Sequence, residues 1–358
     1  MLAVRYSAFG QTPELVDVPA PHCPPDAVLV AVAATGLCRS DWHGWQGHDR
    51  DIVVPHVPGH EFAGVISAVG AEVTGWSVGE RVTAPFVSAC GRCPTCRRGD
   101  GQVCEAQTQP GFTHWGSFAE QVVVRNADVN LVALPDDMDF DTAAALGCRF
   151  ATAYRAVVDR ARAAPGDWVA VHGCGGVGLS AVMIAVAQGN RVVAVDTSAA
   201  ARALAVELGA EQVLDPAQVE VASAIRDITG GGAAASLDAL GSLPTLVGSV
   251  HCLRPRGTHV QIGLAAGVGP LPETVLAAAI AGELQLLGSH GMPARAYPAM
   301  LARIAGGELV PGRLVQRRIS LSEAPGALAA MGTTQVGAGM TLIEVSAPGP
   351  TVRDAPAS

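Results

Sequence analysis

Two kinds of hydrophobic pattern divide this chain. Up to about Phe150, short apolar runs are broken by Gly, Pro and polar turn residues. The runs Val28–Ala33, Ala63–Val69, Arg81–Ala84 and Phe118–Val124 have strand length, so they predict an irregular, mostly antiparallel β domain. From about Asp167 strands alternate with helices. Asp167–His172, Arg191–Val195, Gln212–Leu214, Ser236–Leu240, Thr258–Ile262 and Leu284–Leu287 read as strands. Val177–Gln188, Ala199–Leu208 (closed by Gly209), Val219–Ile228 and Leu243–Leu253 read as the helices between them. Six strands in this order predict a doubly wound parallel sheet, and therefore an α/β protein. After the break at SHGMP, Ala296–Ile304 reads as a helix, and Gln316–Ser320 and Met340–Val345 as strands returning to the first domain. The expected division is 1–150, with a small lobe at 90–104, then 151–290, then 291–346, with 347–358 as a frayed tail.

Composition narrows the function classes. Of 358 residues, 49% are hydrophobic and 15% charged, enough apolar material for two cores. A formal net charge of -9 with no basic stripe argues against nucleic acid as a partner. There is no charged leader followed by an apolar run, and no run long enough to span a bilayer, so a soluble, cytoplasmic protein without a membrane partner is expected. In a reducing compartment the nine cysteines read better as metal ligands than as disulfides.

Four of them form one motif. Cys90, Cys93, Cys96 and Cys104 follow C-x2-C-x2-C-x7-C, and four thiolates make a closed tetrahedral zinc shell. Gly91 and Gly99 permit the turns. An iron–sulfur cluster uses similar spacing, and disulfides are the other alternative. With no open coordination position, a metal here is structural. Three other segments are weak alone: Cys38-Arg39-Ser40-Asp41-Trp42-His43, Gly59-His60-Glu61 and Leu146-Gly147-Cys148. Together they supply two thiolates and one imidazole, an open three-ligand set. Further on, His172-Gly173-Cys174-Gly175-Gly176-Val177-Gly178 holds G-x-G-x-x-G between a strand and a helix, the context in which that motif binds a dinucleotide. Gly173 permits the tight turn, Gly175 and the opening Gly176-Val177 turn meet the pyrophosphate, and Gly178 allows close helix–strand packing. Asp196 ends the next strand, where a carboxylate accepts from the ribose hydroxyls and repels a 2′-phosphate, favouring NAD over NADP.

The stretch GHEFAGVISAVGAEV, with Gly59, His60, Glu61, Gly64, Gly70 and Val73, closely resembles the signature of the zinc-containing medium-chain dehydrogenases. Cys90 to Cys104 resembles that family's structural zinc lobe, residues 168–215 its cofactor domain, and the likeness spans nearly the full length. The resemblance implies a GroES-like β domain beside a Rossmann domain, and two Zn2+ per subunit. By the same resemblance Cys38, His60 and Cys148 hold the catalytic zinc. Glu61 sits beside it and coordinates transiently, and Asp41 fixes the tautomer of His60. Ser40 and His43 carry the alcohol proton out through the cofactor ribose. Arg39 meets the pyrophosphate, and Arg202 stands near the family's ribose-holding basic position, where it substitutes or reopens NADP tolerance. Phe86 and Phe150 line the substrate cleft, with Trp45 and Trp115 as further walls or as ordinary core. Cys23, Cys174 and Cys252 are left without a role, although Cys174 in the glycine loop is a target for inhibitory alkylation. Thr258–Ile262 is the expected outer edge of the cofactor sheet, paired across a two-fold axis in a homodimer or homotetramer. The expected activity is reversible hydride transfer between a small alcohol or aldehyde and NAD. Two rivals share these residues: a reductase with a specialised biosynthetic substrate, and a zinc- and nucleotide-binding protein without turnover.

Overall fold

The computed structural model describes residues 1–265, 269–332 and 337–345. Two large sheets organise them, beside a small antiparallel pair of Leu2–Arg5 with Glu14–Asp17. The first has seven strands in the order Val315–Ser320, Met340–Glu344, Val28–Leu37, Phe62–Val69, Arg81–Thr83 and Val132–Ala133, with Gln121–Val124 also paired to Val28–Leu37. Its pairs are antiparallel except the one between the last two strands in sequence. Those two come from the C-terminal part, so the expected return to the first unit is found. Val28–Leu37 is its long central strand, almost wholly buried. Its apolar, β-branched run suits burial on both faces.

The second sheet has six parallel strands in the order Gln212–Leu214, Arg191–Val195, Trp168–His172, Ala233–Asp238, Leu253–Gln261 and Gln285–Gly288. In sequence numbering that is 3-2-1-4-5-6, the doubly wound order. Two expectations change. Thr258–Ile262 is not the edge: Leu253–Gln261 lies between Ala233–Asp238 and Gln285–Gly288, and the latter is outermost. Ser236–Leu240 also stops early, because the Asp238 carboxylate accepts the N–H groups of Leu240 and Gly241, both at 2.9 Å, and turns the chain.

Between the sheets runs a helical stretch from Phe140 to Ala161 that includes two π-helical turns, Leu146–Phe150 and Ala156–Ala161. The boundary expected at 150 falls inside it. One apolar cluster includes Ala63 of the first sheet, Leu146 and Phe150 of this stretch, and Val171 and Leu179 beyond it. No helix among the described residues is long and apolar enough to cross a membrane. The tail 347–358 and residue 346 lie outside the described residues.

Buried histidines also set an acid limit. Burial pushes His172 down to about 4, with His259 adding to the effect and Asp238 opposing it. Burial lowers His259 and His114 as well. An unfolded histidine titrates near ~6.5, so the unfolded chain takes up these protons first. The stability is fully present above about pH 6.5 and is lost as the pH falls toward 4, with about 3 kcal/mol from His172 alone. Thermal unfolding monitored by circular dichroism from pH 8 downward should show Tm dropping through that window.

Candidate active site

Strand pairing builds the first centre. The antiparallel register sets Thr35 opposite Phe62, and Gly36 N–H donates to the Glu61 carbonyl at 2.7 Å. Cys38, just past one strand, is thereby brought beside His60, just before the other. Cys38 caps the helix Arg39–Trp45, and Asp41 in its first turn ties the two together. One Asp41 oxygen accepts from the Cys38 N–H at 2.9 Å. The other accepts from the Gly59 N–H at 3.0 Å and from His60 Nδ1 at 2.9 Å. Cys148 arrives from the π-helical turn Leu146–Phe150, where chain widening is common at functional sites. The approach is tight at Gly147: a Cβ there would stand 3.1 Å from the Ala84 carbonyl and 3.2 Å from Glu61 Cα.

The ligand atoms of Cys38, His60 and Cys148 lie within 4.8 Å of one another. With Nδ1 donating to Asp41, His60 Nε2 presents a lone pair, and it is buried with no hydrogen-bond partner among the described residues. An orphaned buried acceptor costs about 1–3 kcal/mol. A zinc ion would satisfy it, and two thiolates with one imidazole suit zinc with its fourth position open. The Cys38 thiol is held well below its usual range by the hydrogen bond from Cys148, against burial and with help from His60.

Glu61, beside the ligand set, also has a partner that the sequence did not indicate. It pairs with Arg149: the Arg149 backbone N–H donates to Oε1 at 2.7 Å, and Nε reaches both oxygens at 3.0 and 2.8 Å. Nη2 closes the pair and Nη1 donates to the Leu37 carbonyl at 3.2 Å. Both side chains are buried. Burial pushes the Glu61 carboxyl up against the opposing pull of Arg149. Arg149 escaped the sequence reading. Its signal was an arginine beside a buried cysteine, since a buried guanidinium needs a carboxylate partner.

The second centre lies in the lobe. Sulfur separations are 3.9 Å for Cys90–Cys96, 3.4 Å for Cys93–Cys96 and 3.8 Å for Cys93–Cys104. Disulfide sulfurs would be ~2.05 Å apart, and spans of this size instead suit the edges of a tetrahedron around one ion at ~2.3 Å. Backbone N–H groups of Cys96 and Cys90 point at Cys93 and Cys104 sulfurs, each at 3.4 Å. Gly91 and Gly99 take φ of 73° and 92°, as the turns demand. Backbone donors at Arg92 and Cys93 bring the Cys90 thiol down to about 6.

A cleft of about 960 Å³ joins the first centre to the glycine turn. Cys38, Ser40, His43, His60, Phe86 and Cys148 line one part of it, and Gly173, Gly175, Gly176, Val177 and Asp196 another. Gly173 has φ of 87°. Gly178 packs so closely on the Gly173 carbonyl that a Cβ has no room. Asp196 accepts from the Cys174 N–H at 2.6 Å and the Ser198 N–H at 2.7 Å while facing the cleft. Arg202 turns away: it donates to the Asp196 carbonyl at 2.6 Å and pairs with Asp215 at 3.1 Å, leaving Ala201 at the cleft wall. Arg39 stays on the cleft, donating to the Met331 carbonyl at 2.5 Å.

The aromatic walls need correcting. Phe86 lines the cleft, with its ring 6.1 Å from that of His60. Phe150 is fully buried in the core and does not reach the cleft. Trp45 lies in the first unit's core and the partly buried Trp115 packs against it, their indole N–H groups bound to the carbonyls of Gln11 and Pro55. The partner wall is Phe112, 5.1 Å from His60, with His290 edge-on to Phe86. Cys174 is buried, and burial pushes its thiol far up, so it is a poor target for alkylation.

Residues 24–136 match the model of the alcohol dehydrogenase GroES-like domain, and 176–306 that of the zinc-binding dehydrogenase domain. A geraniol dehydrogenase from Castellaniella defragrans is 36% identical over 276 residues, covering 70% of this chain and 73% of its own. An alcohol dehydrogenase from Geobacillus stearothermophilus is 36% identical over 281 residues, covering 77% and 82%. The solved structure of the alcohol dehydrogenase TADH from Thermus sp. ATN1 superimposes with a TM-score of 0.87 at 31% identity, covering 96% of this chain and all of that one. With a GroES-like unit, a doubly wound sheet and two cysteine-rich centres, the chain belongs to the zinc-dependent medium-chain alcohol dehydrogenase family.

Proposed function

We propose that this protein transfers a hydride reversibly between a primary or secondary alcohol, or its aldehyde or ketone, and NAD(H). The observation that carries the reading is the unpartnered His60 Nε2 beside Cys38 and Cys148, at the floor of a cleft that runs to a glycine turn. Zinc held by Cys38, His60 and Cys148 would supply a Lewis acid toward the substrate oxygen. A second zinc, held by the four lobe cysteines, would be structural.

The chain's own residues do the rest. Asp41 fixes the His60 tautomer and the backbone carrying Cys38. Ser40 and His43 share the cleft and take the substrate proton toward the surface. Phe86 and Phe112 exclude water and favour apolar substrates. Gly173 to Gly178 offer backbone donors at a helix N-terminus, with Arg39 nearby for a pyrophosphate. Asp196 takes the ribose hydroxyls and disfavours a 2′-phosphate, and Arg202 leaves that preference intact because Asp215 holds it. Replacing Asp196 with Ala should raise KM for NAD about 10-fold and narrow the preference over NADP, as read from initial rates with both cofactors.

The open outer edge of Gln285–Gly288, with Leu286, Leu276 and Ile280 exposed, supports a two-fold pairing of subunits. Replacing Ile280 with Glu should shift the assembly toward monomer in analytical ultracentrifugation. The activity is tested by nicotinamide absorbance across aliphatic, aromatic and branched aldehydes. Turnover with NADH is the expected result; tight NADH binding without turnover on any carbonyl would overturn it.

A further inference from the structure

We propose that His48 is a positioning residue for proton transfer, holding one shared proton between its own Nδ1 and that of His43. This rests on the Ser40–His43 relay above and extends it by one residue. The pairing comes from how the helix Arg39–Trp45 ends. Gly47 takes φ of 79°, its N–H returns to the Gly44 carbonyl at 3.0 Å, and the His48 N–H returns to the His43 carbonyl at 3.0 Å. This is the left-handed close of a helix C-terminus, and it folds the chain back on itself. His48 therefore lies against His43, with ring centroids 5.2 Å apart and the two Nδ1 atoms 2.9 Å apart. The Trp42 ring stands edge-on to both, at 5.0 and 5.9 Å, and fixes their mutual orientation. Both histidines line the cleft that also holds Ser40.

Two imidazole nitrogens at that distance need one proton between them, because two lone pairs or two N–H groups would repel. The shared proton decides what His43 Nε2 can do. With the proton on His43, Nε2 carries a lone pair and accepts. With it on His48, Nε2 carries a proton and donates. During alcohol oxidation one proton enters at His43 Nε2, the Nδ1 proton crosses to His48, and one proton leaves His48 Nε2 for water. Carbonyl reduction runs the same transfers backward. His48 is exposed and can exchange with water, whereas His43 is half-buried. Burial, then His48 and Arg39, depress the basicity of His43, and Cys38 opposes them. Asp49, next to His48 in sequence, also lines the cleft, and its carboxylate accepts from the Asp51 N–H at 2.9 Å. A depressed imidazole is a weak acceptor, and a partner that takes its other proton offsets that weakness.

The test measures kcat and KM for alcohol oxidation against pH in the zinc-loaded enzyme with NAD, comparing wild type, His48→Ala and His43→Ala. In His48→Ala, kcat should fall about 10-fold near neutral pH, the acid limb should move up by about one pH unit, and KM should hold. Added imidazole should restore most of the rate. A wild-type rate and pH profile in His48→Ala, beside a slowed His43→Ala, would overturn the pairing and leave the relay standing. No effect in either variant would overturn the relay and this inference with it. Nitrogen-15 spectra of histidine-labelled wild type provide a second reading that needs no variant. The two Nδ1 signals should show one proton shared between the rings, and spectra without a hydrogen bond between His43 and His48 would overturn the proposal.

Discussion

Turnover should fall about 10⁴-fold when Cys38 is replaced by Ala, with the fold and the lobe metal retained. Cys38 contributes one of three ligand atoms that line the cleft, and zinc held by them would keep a position open for substrate. Without it, His60 and Cys148 remain as two ligands, too few for a stable open zinc site. The side chain removed is small and the strand and helix around it keep their backbone bonds, so global stability should change little. Replacing Cys96 with Ser should do the reverse. The lobe between Cys90 and Cys104 has two short helical turns and little core of its own, so its order rests on the four sulfurs. Calorimetry should show a lower Tm and metal analysis one zinc lost. A Cys96→Ser protein that kept its stability and both zincs would contradict the assignment.

Replacing Arg149 with Met should cost about 3–5 kcal/mol of stability. The reason is the charge left behind. Glu61 is fully buried, and Arg149 engages both of its oxygens through its backbone N–H, Nε and Nη2. The backbone donor survives the substitution, but the guanidinium does not. Burial already pushes the Glu61 carboxyl up, and without Arg149 it rises further. The variant should therefore take a proton at Glu61 as the pH falls, so its deficit against wild type shrinks toward acid. Denaturant unfolding at two pH values measures this. Adding Glu61→Gln should recover much of the loss, and a double-mutant cycle gives the coupling. A deficit under about 1 kcal/mol would mean that the pair is not the support for the catalytic strand ends.

Local sequence carried the parts of this protein that local physics decides. The parallel sheet followed from apolar runs of strand length alternating with helical periods, and each strand lies within a few residues of its expected place. The Cys90–Cys104 quartet stood out because metal chemistry restricts residue type and spacing, whereas Cys38, His60 and Cys148, far apart in sequence, were grouped only through the resemblance to a known family. Spacing along a chain does not say which side chains meet, and that is where the reading failed. Arg149 finds Glu61 only because strand pairing and the helical stretch from Phe140 bring residues 88 apart together. Phe150 stands two residues from Cys148, but the π-helical turn sends it into the core while Phe112 takes the wall. Thr258–Ile262 looked like an edge because strand order in a sheet is set by crossover connections, which periodicity does not encode. The same limit hid His48, whose contact with His43 depends on the left-handed turn at Gly47.

The most direct test is turnover measured against zinc content. A chelator removes metal stepwise, and zinc is then restored, with NADH-linked aldehyde reduction and bound zinc recorded at each point. The account predicts two zincs per chain, activity that vanishes with loss of the ion at Cys38, His60 and Cys148, and full recovery when that ion returns to a folded protein. Activity that persists after that ion is gone, or that tracks only the loss of the lobe zinc and of the fold, would contradict it.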